Sequence, residues 1–249
     1  MIIKDLLMPR GSINVFTDAS IKKINGITYS SSGIQIRDFE DRTLCSECQI
    51  IRNSTNNIGE TFAVLMGIDI AREILLSNKD KYNSINVFSD SSFVITGLTD
   101  WLIHSWIYNK RDGKIYNSSN QLVANQQIFS SIVHSILSID KNIPVRLWKQ
   151  RGHMNINNPS HMGIAKNYFE SANNMYLLSS TVHPYIIQYI SEINNIVDYF
   201  SRDIFSQFND NEFIKFPTIV DLLPVTFSIP DINEILISYV QRITQPINF

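Results

Sequence analysis

Cysteine is scarce in this sequence, and its scarcity excludes one kind of metal site. Cys45 and Cys48 are the only 2 cysteines among 249 residues, and they form a single C-x-x-C motif. A structural zinc site of the usual kind would need a second pair of ligands. The surrounding segment is predicted to be a strand, on which residues three apart point to opposite faces. We therefore interpret both cysteines as unremarkable thiols.

The sequence also lacks long apolar runs. No stretch approaches the ~20 apolar residues that cross a bilayer, and the first residues lack the basic and apolar regions of a signal peptide. A hydrophobic content of 44% with 18% charged residues is typical of a folded soluble protein. We therefore expect a cytoplasmic protein that does not contact membranes.

Charge is distributed unevenly along the chain. Residues 1–169 contain 18 Lys and Arg against 14 Asp and Glu, whereas residues 170–249 contain 3 against 9. The formal net charge is therefore +4 in the first part and -6 in the second. A surface that binds nucleic acid is expected on the first two thirds of the chain, where the basic residues are concentrated.

Hydrophobic periodicity predicts an alternation of strands and helices. Three strands are expected in residues 13–52, connected by turns at KKING (22–26) and DFED (38–41). Short connections of this kind favour an antiparallel meander. The later predicted elements, in order, are a helix at 54–77, a buried strand at 84–94, helices at 93–109 and 122–139, a strand at 145–153, and helices at 183–205 and 231–243.

Four acids occupy positions suited to chemistry. Asp18 and Asp90 each follow an apolar strand containing N-V-F, and they would lie side by side if those strands pair in parallel. Glu60 lies near the start of the first helix and Asp198 on the last long helix. Clustered carboxylates bind hard divalent cations, which can activate water for phosphodiester hydrolysis. Each acid alone has a simpler interpretation, as a turn residue or as a charge at a helix N-terminus.

The combination and order of these motifs resemble type 1 ribonuclease H. The matching segments are FTDAS, TNNIGE, SDSSFVITGLTDWLIHSW, RGH and NNIVDYFSR, within about residues 12–205. The resemblance implies an α/β fold with a mixed five-stranded sheet, an antiparallel meander plus parallel strands, flanked by helices. It also implies cleavage of the RNA strand of an RNA-DNA hybrid with two Mg²⁺ ions, for which Mn²⁺ could substitute.

The resemblance assigns roles to individual residues. Asp18, Glu60, Asp90 and Asp198 fall on the family's metal-binding acids, and His153 falls on its loop histidine, for which His161 is the rival. Asn194 and Arg202 lie one helical turn on either side of Asp198, as in the family pattern. The expected substrate contacts are Ser20, Lys22, Lys23, Asn56, Asn57, Ser92, Trp106, Lys110, Arg111, Asn125 and Arg151.

Aromatic and basic residues alternate after the third acid. Trp106, Lys110 and Arg111 fall where the family has a basic handle that grips the DNA strand, through phosphate contacts and aromatic packing. The alternative is that Trp101 and Trp106 simply belong to the core on an amphipathic helix.

The sequence departs from the family pattern in three places. The turn after Asp18 contains Lys22 and Lys23 instead of a glycine- and proline-rich segment, and Ser92 replaces a glutamine. His153 and Asp198 are 45 residues apart, so residues 154–193 form a predicted insertion before the last acid. Residues 206–249 form a predicted extension packed on the catalytic domain of residues 12–205. Either segment could bind a protein partner or a second copy of the chain.

Two other functions are compatible with these residues. A structure-specific nuclease of the same superfamily would act on DNA junctions or on duplex RNA. A catalytically silent module would bind hybrids or serve as a scaffold, but the retention of all four acids argues against that alternative.

Overall fold

Five strands form the central sheet of the computed structural model, which describes residues 9–173, 176, 182–223 and 232–245. The strands are β1 (Ser12–Ile24), β2 (Ile27–Asp38), β3 (Thr43–Arg52), β4 (Ser84–Ser89) and β7 (Val145–Lys149), with a separate hairpin of β5 (Ile107–Asn109) and β6 (Lys114–Tyr116). The strand order in the sheet is β3-β2-β1-β4-β7. Neighbours β1, β2 and β3 pair antiparallel, whereas β4 pairs parallel with both β1 and β7. The predicted mixed five-stranded sheet is therefore confirmed.

Seven α-helices accompany the sheet in the described residues, together with two short 3₁₀ helices at Ile204–Gln207 and Phe213–Lys215. Thr55 begins the first helix by accepting a hydrogen bond from the Ile58 amide at 3.3 Å, and Pro184 opens the fifth, where its missing N–H costs nothing. The helices are α1 (Asn56–Ser77), α2 (Ser92–Thr96, continued by a π-helical turn Gly97–Trp101 and by Leu102–His104), α3 (Gln126–Ser138), α4 (Pro159–Ala172), α5 (Pro184–Asp203), α6 (Ile219–Leu222) and α7 (Ile232–Ile243).

Apolar residues cover both faces of the sheet. Val15 and Val87 belong to the larger core, which α1, α3 and α7 complete. Phe16, Phe88 and Trp148 point to the opposite face, where α4 and α5 cover them. Successive residues of a strand point to opposite faces, so both layers are built from the same three strands. Helices therefore lie on both sides of the sheet.

Several predicted boundaries were wrong. The strands predicted at 84–94 and 145–153 end at Ser89 and Lys149, and the helix predicted at 122–139 begins at Gln126. Lys22 and Lys23, which were assigned to a turn, lie on β1 opposite Tyr29 and Thr28, and the turn is confined to Asn25–Gly26. The helix predicted for 93–109 ends at His104, and the chain then forms the β5–β6 hairpin. A positive φ of 68° at Gly113 closes that hairpin, a conformation that glycine adopts without strain.

The C-terminal part of the chain contributes side chains to the core. Phe205 and Phe213 pack with Ile24, Tyr29 and Ile50 in a third apolar cluster. In the larger core, Tyr239 and Ile243 of α7 are fully buried. None of the described helices has the length and apolar character required to cross a membrane.

Candidate active site

Asp18 and Asp90 lie just beyond the parallel pairing of β1 with β4. Asp90 follows the end of its strand, but Asp18 does not, because β1 continues to Ile24 in its pairing with β2. The two N-V-F segments are aligned residue for residue, since Val15 is paired with Val87 and Phe16 with Phe88. The prediction that the strands are neighbours is therefore confirmed. Asp18 is the position after the last β1–β4 pair, and Asp90 directly follows β4.

One oxygen of Asp18 has no partner. The Ala19 amide donates to Oδ1 at 2.7 Å, but Oδ2 is buried and accepts no hydrogen bond. Burial, together with repulsion by Asp90, Asp198 and Glu60, raises the pKa of the Asp18 carboxyl to about 9. A buried acceptor beside three other acids is suited to binding a cation. A bound cation would offset the repulsion between the carboxylates and would serve as the partner of Oδ2.

Asp90 is held by the loop after β7 and by α5. The Asn194 amide donates to Asp90 Oδ2 at 3.3 Å, and Gln150 donates to Asn194 Oδ1 at 2.6 Å. Burial raises the pKa of Asp90, and the hydrogen bond from Asn194 opposes this effect. Gly152 lies so close that a Cβ at this position would overlap Asp90 Oδ2. The glycine of R-G-H is therefore explained by its contact with the acid.

Both oxygens of Glu60 are hydrogen-bonded. Asn56, one helical turn earlier, donates to Oε1 at 2.7 Å, and the Ser91 hydroxyl donates to Oε2. Burial raises the pKa of Glu60, whereas the hydrogen bond from Ser91 lowers it. Ser91 also caps α2 by accepting from the Val94 amide at 3.3 Å. It therefore connects Glu60 to the segment that follows Asp90.

The close approach of α5 to β2 brings Asp198 to the same end of the sheet. A Cβ on Gly33 would lie 3.1 Å from Ser201 Cβ, so the absence of a side chain permits the contact. Asp198 is only 6% exposed and forms an ion pair with Arg202. His153 Nδ1 lies 3.4 Å from Asp198 Oδ2, and the histidine side chain is 73% exposed.

The four acids do not form a ready-made chelate. Among residues 9–173, 176, 182–223 and 232–245, no three His, Cys, Asp or Glu side chains are arranged to hold an ion as they stand. This agrees with the hydrogen bonds to Glu60 and with the ion pair between Arg202 and Asp198. For a cation to bind, Asn56, Ser91 and Arg202 would have to release the carboxylate oxygens that they now contact.

The other residues predicted to bind substrate differ in accessibility. Lys22 and Lys23 are exposed, as is Asn57 at the start of α1. Ser20 is only 9% exposed, and its hydroxyl lies 3.1 Å from that of Ser201 in the contact with α5. Asn56 is engaged with Glu60. The side chains of Ser20 and Asn56 are therefore already hydrogen-bonded within the protein, whereas the two lysines are open to solvent.

The β5–β6 hairpin holds the predicted basic handle. Lys110 and Arg111 are exposed at its tip. Trp106 is half-buried, and its ring packs edge-on against Phe129 at 4.9 Å, so it borders the core. Asn125 has a left-handed backbone (φ 59°) and makes no capping hydrogen bond through its side chain at the start of α3.

Sequence reasoning missed three residues near the acids: Ser91, Gln150 and Tyr168. Ser91 is adjacent to Asp90, and this proximity was the only available signal. Gln150 reaches Asn194 across 44 residues, and Tyr168 reaches Ser92 across 76. No local pattern could have revealed those contacts.

Comparison with known proteins identifies one family. The family model described as RNase H matches residues 10–165, which is more than half of the chain. The match includes Asp18, Glu60 and Asp90 and ends before Asp198. A curated protein named ribonuclease H, from Treponema denticola, is 28% identical over 148 residues, covering 57% of this chain and 86% of the relative.

Solved structures of similar proteins match at lower identity. The RNase H domain of PFV is 19% identical with a TM-score of 0.43, covering 64% of this chain and 90% of that one. RNase H1 from Halobacterium salinarum is 13% identical with a TM-score of 0.38, covering 56% and 86%. LC11-RNase H1, solved in complex with an RNA/DNA hybrid, is 15% identical with a TM-score of 0.39, covering 64% and 98%. These scores add no functional information to the family match.

Proposed function

The chain belongs to the RNase H family, and from this membership we propose that it is an endonuclease that hydrolyses the RNA strand of RNA-DNA hybrids with a divalent metal ion. The observation that carries the proposal is the buried, unpartnered Oδ2 of Asp18, surrounded by Asp90, Asp198 and Glu60.

Asp18, Glu60, Asp90 and Asp198 are the residues that would hold the metal. Magnesium, with manganese as a substitute, suits a set composed only of carboxylates, because hard cations prefer oxygen ligands. Two bound ions would activate the attacking water and stabilise the leaving oxygen. Asn194, Asn56 and Ser91 orient the acids through their hydrogen bonds, as supporting residues do in metal sites.

His153 is suited to proton transfer. Hydrolysis forms a bond from a water oxygen to phosphorus and breaks the bond to the 3′ oxygen, so a proton must leave the water and another must reach the 3′ oxygen. His153 Nδ1 faces Asp198 Oδ2 at 3.4 Å, which leaves Nε2 free to exchange a proton. Its exposed side chain can reach a bound strand at the edge of the site. His161 Nδ1 accepts instead from the Asn155 amide at 3.3 Å.

The remaining predicted contacts would hold the substrate. Lys22, Lys23, Lys110 and Arg111 are exposed cations that can contact phosphates. Asn57, Asn125 and the edge of Trp106 would supply polar and aromatic contacts to sugars. A contact to a 2′-hydroxyl is what distinguishes an RNA strand from a DNA strand.

The first experiment compares substrates. Purified protein with magnesium is incubated with labelled RNA-DNA hybrid, duplex RNA and duplex DNA, and the products are separated by size. We expect cleavage of the RNA in the hybrid, leaving 3′-hydroxyl and 5′-phosphate ends. Preferential cleavage of duplex DNA or RNA would identify a structure-specific nuclease, and binding without cleavage would identify a silent module.

Variants of the acids test the site. Asp90→Asn and Glu60→Gln should each lower kcat by at least ~10³-fold, because losing one metal ligand removes several kcal/mol of transition-state stabilisation. Glu73→Gln, on an exposed acid of the same helix α1, is the matched control and should cleave normally. Normal cleavage by Asp90→Asn would refute the assigned site.

Gly152→Ala tests the contact between the loop and Asp90. The added Cβ would overlap Asp90 Oδ2, so either the loop or the carboxylate must move. We expect kcat for the hybrid to fall about a hundredfold, as for a catalytic group displaced by ~1 Å. Gly163→Ala is the control, because a Cβ there meets no atom within 4 Å. Equal kcat values for Gly152→Ala and Gly163→Ala would show that Gly152 does not constrain Asp90.

A further inference from the structure

The predicted insertion is fixed to the outer edge of β7. The Asn173 side chain accepts from the Lys149 amide at 2.8 Å and donates to the Lys149 carbonyl at 2.8 Å. The Tyr176 hydroxyl likewise accepts from the Leu147 amide at 2.8 Å and donates to the Leu147 carbonyl at 3.1 Å. These side chains satisfy backbone groups that an edge strand leaves unpaired. Helix α4, which ends beside Asn173, is therefore anchored to the strand that leads into the active-site loop.

Apolar packing fixes the orientation of α4. Phe169 is only 1% exposed and stacks on Trp148, with ring centroids 5.7 Å apart. Ala165, one turn earlier, is buried in the same cluster. Tyr168 precedes Phe169 and is half-buried, so its position is determined by the buried face of the helix.

Tyr168 lies among residues that face the same solvent region. Its hydroxyl is 3.4 Å from Ser92 Oγ. Lys149 Nζ and Arg151 Cζ each lie 5.8 Å from the centre of its ring, within the range of cation–π contacts. Ser92 and Arg151 are exposed. Two cations, an aromatic ring and two hydroxyls are therefore grouped at one place, which we call the Tyr168 cluster.

The Tyr168 cluster borders the four acids. Arg151 directly precedes Gly152, the residue in contact with Asp90. Ser92 comes two residues after Asp90, and the neighbouring Ser91 donates to Glu60. A strand whose phosphate reaches the acids can therefore extend over the cluster.

We infer that the insertion supplies a nucleic-acid contact, in which Tyr168 packs on a sugar or base of the cleaved strand while Lys149 and Arg151 bind adjacent phosphates. This inference rests on the proposed hybrid cleavage and extends it to a part of the chain with no assigned role. Basic residues interleaved with an aromatic ring form the usual platform for a single nucleic-acid strand. The adjacent Ser92 and Tyr168 hydroxyls can both donate and accept, as can a ribose 2′-hydroxyl.

Hybrid binding by Tyr168 variants tests the inference. Affinity for a labelled hybrid is measured by fluorescence anisotropy in EDTA, where no cleavage occurs, and KM and kcat are then measured with magnesium. Tyr168→Ala and Tyr168→Leu should weaken binding and raise KM about tenfold, the size expected for one lost aromatic contact, with little change in kcat. Tyr168→Phe should retain most of the affinity. Lys149→Ala should reduce the slope of log affinity against log salt concentration by about 1, the value expected for the loss of one phosphate contact.

Two controls separate binding from folding. Ile164→Ala alters an exposed residue of the same helix, and Tyr185→Ala removes an exposed tyrosine of α5; both should bind like the wild-type protein. Wild-type affinity of Tyr168→Leu, with a normal melting temperature, would overturn the inference even if the enzyme cleaves hybrids. A wild-type protein that neither binds nor cleaves hybrids would instead refute the proposed function itself.

Discussion

The Asp18→Asn variant will lose hybrid cleavage and yet, without metal, will unfold at a higher temperature than the wild-type protein. Asp18 Oδ2 is buried without a partner, beside three other acids. Asparagine keeps the shape and is always neutral, so the variant folds without having to take up a proton at this position and without repulsion from the other acids. A gain of ~2 kcal/mol corresponds to about 4–8 °C in a domain of this size. The activity should fall at least ~10³-fold, because a metal ligand is lost.

The stability difference will depend on pH. Burial raises the pKa of Asp18 to about 9 from the ordinary 3.8, so the folded protein binds this proton more tightly than the unfolded chain. The stabilisation by the bound proton is complete below the unfolded pKa and is lost as the pH rises through the folded pKa. The difference in stability in favour of Asp18→Asn should therefore be largest near pH 9 and smallest near pH 4.

Magnesium provides the control for this variant. An ion that binds the folded state stabilises it, so magnesium should raise the melting temperature of the wild-type protein and not that of Asp18→Asn. Melting is followed by circular dichroism with EDTA and with magnesium at several pH values. A variant less stable than the wild-type protein in EDTA at pH 8 would show that Asp18 is not electrostatically strained.

The second large effect is expected from Arg242→Ala in the C-terminal helix α7. Arg242 is only 5% exposed, and its guanidinium donates to the carbonyls of Ile136, Ile139 and Asp140 at the end of α3. The last carbonyls of a helix have no partners within it, so truncation would leave buried acceptors unpaired. We expect a loss of about 2–4 kcal/mol, which lowers the melting temperature by roughly 4–16 °C.

Gln241→Ala is the matched control for Arg242→Ala. Gln241 precedes Arg242 on the same helix but is exposed, so its truncation should change stability by no more than ~0.5 kcal/mol. Equal melting temperatures for the two variants would show that α7 is only loosely attached. The boundary proposed at residue 206 stays a prediction, but Arg242 and Tyr239 already bind the domain, Tyr239 through the Leu98 carbonyl at 3.0 Å.

Local sequence patterns predicted the central part of the fold. The repeated N-V-F segments indicated two similar strands, and the structure aligns them in parallel with Asp18 and Asp90 just beyond the last residue pair. The segment after the third acid was predicted less well. An apolar pattern that continues past His104 favoured a longer helix, but Trp106 packs against Phe129, and the chain turns into a hairpin. Packing outside the segment therefore decided where the helix ended.

The sequence by itself determined the order along the chain of the five strands of the central sheet, the helix that carries Glu60 and the identity of the candidate acids, because these depend on local periodicity and on short motifs. The tertiary structure alone decided how Asp198 reaches the other acids, since this requires α5 to pack closely over Gly33. It also decided that the insertion brings Tyr168 beside Ser92 and Arg151. Contacts across tens of residues arise from the packing of whole elements, and that packing leaves no periodic trace in the sequence.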